Sequence, residues 1–131
     1  NEFKEELLKG TVDLDGHTIK MILVEGYTPN IDSHNGYSDV SSYEMSGTGY
    51  TAGGVTIGDP GITKDNANDK AVFDGEDVTW NSLSVGTPSH GILYDDSHSG
   101  KCLIAYWEVT TVTNGGNYTL QFNALGVLSL S

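Results

Sequence analysis

A metal centre or an acid–base site needs His, Cys, Asp or Glu side chains converging on one point, and this sequence offers several starting sets. Asp13-Leu14-Asp15-Gly16 with Glu25 has the composition of a calcium loop. A calcium hand places glycine at its sixth loop position and a carboxylate at its twelfth. Counted from Asp13, the glycine here is fourth and Glu25 thirteenth, so the pattern fails. A hairpin turn at Asp15-Gly16 is the better reading. Asp65, Asn66, Asn68 and Asp69 form a second oxygen-rich stretch that could hold calcium weakly, but a plain turn is the better reading. His17, His34, His90 and His98 lack the short spacing of a zinc helix or knuckle. His90 and His98 flank an expected strand and are the pair the fold could bring together. The expectation is no metal and no cofactor.

Nucleophilic chemistry fares no better. Cys102 is the only cysteine and lies in the apolar run Cys102-Leu103-Ile104-Ala105-Tyr106-Trp107. No Cys/His signature surrounds it, so a buried, unreactive thiol is expected. A single cysteine allows no intrachain disulfide, which fits assembly in a reducing compartment. There is no Gly-x-Ser-x-Gly elbow. Asp95 and Asp96 are adjacent, so on a strand they point to opposite faces and cannot act as a carboxylate pair. Asn117-Tyr118-Thr119 matches a glycosylation triplet, which matters only in a secreted eukaryotic protein. No catalytic residue is expected, and the chain reads as a non-enzyme. Trp80 and Trp107 could stack on sugars if exposed. Trp107 follows an apolar run and is expected in the core, whereas Trp80, in an alternating segment, is expected to be more open.

Charge narrows the partners. Eighteen acids stand against six lysines and no arginine, for a net charge of -12. The lysines, Lys4, Lys9, Lys20, Lys64, Lys70 and Lys101, are scattered. Phosphate backbones and anionic lipid surfaces are bound by clustered cations, so direct contact with nucleic acid or membrane is not expected. A basic protein partner suits the acidity better. No apolar stretch approaches the roughly 20 residues that span a bilayer. The sequence starts at Asn1 rather than Met, so the expectation is that earlier residues were removed or omitted.

The elements that would position these groups are short. Glu2 to Lys9 reads as a helix with Phe3, Leu7 and Leu8 on one face, stopped by Gly10. Val12 and Leu14 alternate with Asp13 and Asp15 as in a strand with one wet face. His17 to Val24 reads as a central strand, with Ile19, Met21 and Leu23 on one face and Ile22 and Val24 on the other. Gly26 to Gly36 reads as a loop, and Ser38 or Asp39 as the cap of a helical segment through Met45. Ser46 to Gly54 is too glycine-rich for a helix and matches no phosphate-loop or dinucleotide fingerprint. Short strands are then expected at Val55–Ile57, Ala71–Phe73, Val78–Trp80 and Leu83–Val85 (two strands or one bent strand), Gly91–Tyr94, Cys102–Val109, Tyr118–Phe122 and Val127–Leu130, with Cys102–Val109 near the core. Turn signals at intervals of roughly 8–12 residues predict one mostly β domain over residues 1–131. It would be a β-sandwich or barrel of short antiparallel strands with a short N-terminal helix.

Several stretches resemble a family of small tailed-phage virion proteins. They are the helix Phe3–Lys9, the run Gly10-Thr11-Val12-Asp13-Leu14-Asp15-Gly16-His17-Thr18-Ile19-Lys20-Met21-Ile22-Leu23, and Tyr27-Thr28-Pro29-Asn30. Tyr37-Ser38-Asp39-Val40 and Glu44-Met45-Ser46-Gly47-Thr48-Gly49-Tyr50-Thr51-Ala52-Gly53-Gly54 follow, then Ala71-Val72-Phe73-Asp74, Asp77-Val78-Thr79-Trp80, Leu93-Tyr94 and Leu103-Ile104-Ala105-Tyr106. The resemblance covers nearly the whole chain. It implies a structural protein of the virion, best placed as a head decoration or cement protein on the capsid exterior, made in the host bacterial cytoplasm. The implied partner is the major capsid protein or another virion protein. Self-association, for instance as a trimer, or many copies on one lattice are also implied. A tail, neck or fibre-associated component is the alternative within the class, and a carbohydrate-binding module for host attachment the alternative outside it. The family carries no motif that fixes contact residues. The sequence itself offers Phe3 and Leu7 on the helix, Tyr37, Tyr43 and Tyr50 in the Tyr/Gly-rich segments, and Trp80 as candidate interface residues.

Overall fold

The computed structural model describes residues 1–131 and is built around strand β1, Ile19–Val24, in which every residue but Lys20 is apolar. A strand that is apolar on both sides must be covered on both sides. Its neighbours are β2, Val55–Thr56, and β6, His90–Asp95, both antiparallel. Strand β7, Leu103–Glu108, pairs only with β6, giving one sheet in the order β2-β1-β6-β7. Ile19, Met21, Leu23 and Leu93 face the larger core, while Ile22, Val24, Ile92 and Tyr94 face a smaller one.

Two small sheets close the larger core. Strands β3, Gly61–Asp65, and β4, Lys70–Asp74, form a hairpin to which β9, Leu128–Leu130, adds. Strands β5, Val78–Trp80, and β8, Tyr118–Leu120, pair separately. They contribute Phe73, Val78, Trp80 and Tyr118 to the core that Met21, Leu23 and Leu93 share, so sheet faces sheet across it. Each such side chain removed from water is worth about 1.5–3 kcal/mol. The smaller core is closed by Tyr27 and by Val40 of helix α2, Tyr37–Val40. A 3₁₀ turn, Ser41–Tyr43, follows. The expected mostly β, antiparallel domain with a short N-terminal helix is what forms.

Several local expectations are corrected. Val12 and Leu14 are buried, but no strand forms there. Asp13 instead closes a turn, its Oδ1 accepting the Gly16 N–H at 3.0 Å and its carbonyl the His17 N–H at 2.8 Å. The N-cap residue is Gly36 and not Ser38 or Asp39, but Asp39 serves the cap from the third helical position, its carboxylate accepting the N–H groups of Asn35 and Gly36. These bonds hold its carboxyl below the usual range. Leu83–Val85 makes one bridge, Thr48 to Ser84, and no strand. Strand β3 was not expected, because its residues are largely exposed and carry no apolar alternation. Strand β7 lies at the sheet edge rather than near the core, and its residues are half-buried or exposed.

Helix α1, Glu2–Lys9, ends at Gly10 with φ 73°, as its sequence predicts. The docking face differs from the expected one: Leu8 is 89% exposed, while Glu6 is buried beside Phe3, which packs on the larger core. Burying a carboxylate is costly unless it is paired. Glu6 is paired with Lys9 Nζ at 2.8 Å, with the Thr11 hydroxyl, and with His98 Nε2 at 3.2 Å. These donors, the Lys9 bond first, pull its carboxyl from the ordinary 4.5 down to about 2. A depressed folded-state value means the stabilisation is complete above 4.5 and is lost as pH falls toward 2. The protection of the residue 2–9 amides, taken relative to their intrinsic exchange rates at each pH, should therefore fall across that window, and Glu6→Gln should remove this fall. An unchanged profile in Glu6→Gln would show that Glu6 is not the group that ties the helix down.

Candidate functional site

Strand β7 is positioned by long-range pairing, and its register fixes which of its backbone groups are spent. The Val109 N–H donates to Ser89 O at 2.9 Å, and His90 lies opposite Glu108. Antiparallel pairs alternate between bonded and non-bonded, so Trp107 bonds to Gly91, while Tyr106 and Glu108 direct their N–H and C=O groups away from β6. A bulge sets Ile104 and Ala105 together opposite Leu93. The start of the edge is already closed: Leu103 N–H donates to Asn35 O and Tyr37 N–H to Lys101 O. The open part is therefore the stretch carrying Tyr106 and Glu108.

A cleft lies on either side of this stretch. On the side of the smaller core, a groove of about 300 Å³ is lined by Phe3, Tyr27, Pro29, Ile31, His34 and Tyr106, among others. Its Tyr27, His34 and Tyr106 belong to an aromatic array that continues behind the groove: Tyr27 contacts His34, Tyr43 and His90 at 5.4, 5.4 and 5.6 Å between ring centres, and His90 contacts Tyr106 at 5.9 Å. Ile31 and Tyr106 are 58% and 47% exposed. On the other side, a cleft of about 520 Å³ runs past Trp107, Leu120, Gln121, Phe122 and Asn123. Trp107 and Phe122 pack there at 5.8 Å.

The expected interface residues divide. Phe3 and Leu7 are half-buried on α1, and Phe3 reaches the groove. Tyr43 is partly exposed at the end of the aromatic array. Tyr37 and Tyr50 are half-buried and tied to one carboxylate: Glu44 accepts both hydroxyls, that of Tyr50 at 2.8 Å, and also the Gly53 N–H at 2.8 Å. Burial pushes the Tyr37 phenol up to about 12 and the Tyr50 phenol higher still, so both remain neutral donors. Glu44→Ala would strand three donors and should cost about 2–3 kcal/mol in urea unfolding. A cost below ~0.5 kcal/mol would mean that water replaces the carboxylate freely.

Trp80 is corrected outright. It is 2% exposed, stacked on Tyr50 and edge-on to Tyr118, so it belongs to the core and to no surface. Trp107 is the more open of the two tryptophans, half-buried and packed against the larger core. Ile31, Tyr106 and the Trp107–Phe122 pair were missed as surface candidates, and Tyr27, though it lines the groove, is buried in the smaller core. The one available signal was the alternation of Tyr106 and Trp107 on a strand, which sends them to opposite faces.

The reactive side chains are held in structural roles. Asp95 is fully buried and accepts from His17 Nδ1 at 2.6 Å and from the N–H groups of Ser97 and His98. His90 and His98 do not meet: His90 sits in the aromatic array and His98 holds Glu6. No group of three His, Cys, Asp or Glu converges in metal-binding geometry. Asp65 closes the β3–β4 hairpin by accepting the Asn68 N–H and side-chain amide. Cys102 is buried, and burial raises its thiol to about 11, so it stays protonated. No helix is long and apolar enough to cross a membrane. Comparison with family models, characterised proteins and solved structures finds no match.

Proposed function

We propose that this chain is a non-enzymatic virion structural protein that decorates the outer lattice of a tailed-phage head and stabilises it. The observation that carries the reading is the open β7 edge with a cleft on each side, a surface shaped for protein contact. The family resemblance of the sequence, from the N-terminal helix through Tyr106, supplies the setting. The charge of -12 favours a basic partner surface and discourages clumping of free copies. A lattice presents many equivalent sites, so modest contacts suffice when neighbouring copies also touch. The partner is the major capsid protein, and a neck or tail location is the alternative within the same class. Gradient co-sedimentation with matching phage heads stripped of accessory proteins tests the reading. Saturable binding at a fixed copy number per shell is expected, and absence of co-sedimentation counts against it.

A second reading, sugar binding for host attachment, draws on the Trp107–Phe122 pair beside Gln121 and Asn123. Aromatic faces and amides are suitable groups for a pyranose ring. Trp107 fluorescence titrated with host-surface oligosaccharide distinguishes it: saturable quenching that Trp107→Ala abolishes would favour this reading over the lattice.

A further inference from the structure

We propose that the open edge of β7 at Tyr106 and Glu108 accepts an added β-strand from the partner protein. The added segment would be extended and free of acids, with Lys or Arg present and bulky apolar side chains at alternate positions. This rests on the lattice-binding reading for the partner's identity, and goes beyond it in naming what the partner presents.

The backbone makes the first part of the case. Tyr106 and Glu108 offer outward N–H and C=O groups that no segment of this chain meets, whereas Leu103 and Lys101 are already paired by Asn35 and Tyr37. An extended chain satisfies such groups two residues apart, as a sheet neighbour does. The side chains make the second part. A strand laid beside Tyr106-Trp107-Glu108 sends alternate residues to opposite faces. One set would enter the groove walled by Tyr27, Ile31 and Tyr106, and the other the cleft of Trp107 and Phe122. The two clefts flank the same short edge, an arrangement that reads alternating side chains and not a single compact ligand.

Charge selects the occupant. Glu108 is exposed at the end of the open stretch, and the whole chain carries -12. A second copy would bring its own Glu108 and net negative charge to the contact, which opposes edge-to-edge self-pairing. The bulge at Ile104-Ala105 further limits how far any added strand can run. A neutral-to-basic foreign segment avoids the charge obstacle, and the Tyr106–Glu108 stretch lies past the bulge that limits any added strand.

Amide exchange followed by NMR tests this with a blocked peptide of about ten residues, alternating Val or Tyr with Thr or Lys. Saturable protection of the Tyr106 and Glu108 amides is expected. The same peptide N-methylated at alternate residues should give none, which keeps the test independent of any variant's folding. Tyr106→Pro removes one edge donor, which an edge strand tolerates, and should weaken binding about tenfold. Equal binding of the N-methylated peptide, or protection confined to other residues, would overturn the proposal. Protection of the same amides by raising the protein concentration alone would place a second copy at the edge and overturn the choice of partner. Shell binding that Tyr106→Pro leaves intact would overturn the edge but spare the decoration reading. Peptide pairing without shell binding would do the reverse.

Discussion

Alanine at Gly54 is expected to destabilise the fold by at least ~3 kcal/mol, well beyond the cost at any surface glycine. Gly54 has φ +76°, where a side chain is already strained by about 1 kcal/mol. The larger effect is contact: a Cβ there would lie 1.9 Å from the carbonyl oxygen of Met21. That oxygen belongs to the backbone of β1, fully buried and paired on both sides, so it cannot step aside without disturbing the central sheet. Gly10 is the control. It has nearly the same φ, +73°, and nothing within 4 Å of the added carbon, so Gly10→Ala should cost only about 1 kcal/mol. Urea unfolding of both variants checks the contrast. Similar costs would mean that the Gly54 approach to β1 is not as close as described.

Trp80→Ala should remove about 3–5 kcal/mol, a large share of the 5–15 kcal/mol that holds a domain of this kind together. Trp80 is 2% exposed between Tyr50 and Tyr118, and its loss leaves a cavity that three rigid elements cannot refill. Its Nε1 is buried without a protein partner, so part of the indole's contribution is already offset. Trp107→Ala should cost less, about 1–2 kcal/mol, because that ring is only half-buried at the sheet edge. The order of the two costs is the decisive result. A larger loss at Trp107 would invert the assignment of core and surface.

What the residues disclose is unequal along the chain. Strands β1 and β6 are legible because runs such as Met21-Ile22-Leu23-Val24 have no polar face and must be covered on both sides. Helix α1 is legible from its length and from Gly10, but its docking face is not. Glu6 can be buried because Lys9 and Thr11, close in sequence, and His98, 92 residues away, supply its partners, and the His98 contact is beyond the reach of local periodicity. Strand β7 misled for a related reason. Its apolar residues suggest a centre, yet strand order is decided by long-range pairing, and here they line two clefts at an edge.

The tryptophans show how a local signal can be present and misread. Val78 and Trp80 are both 2% exposed, and Thr79 between them faces solvent, bonded to Thr119 at 2.8 Å. That alternation is a plain inward pattern, and Val78 marks the side that Trp80 shares. The interface candidates on α1 and in the Tyr/Gly-rich segments fared variously for the same reason. Aromatic type alone does not separate Tyr43, at the surface, from Tyr50, whose hydroxyl is held by Glu44 and whose ring covers Trp80. The open edge at Tyr106 and Glu108 was beyond reach of the sequence, since it depends on what β7 fails to pair with.

Cryo-electron microscopy of purified protein mixed with matching phage heads, stripped of accessory proteins, tests the proposed role most directly. Regular density at fixed positions on the outer lattice, with β7 turned toward the shell, is the expected result. Bare shells, or density only at the neck or tail, would contradict a role as head decoration.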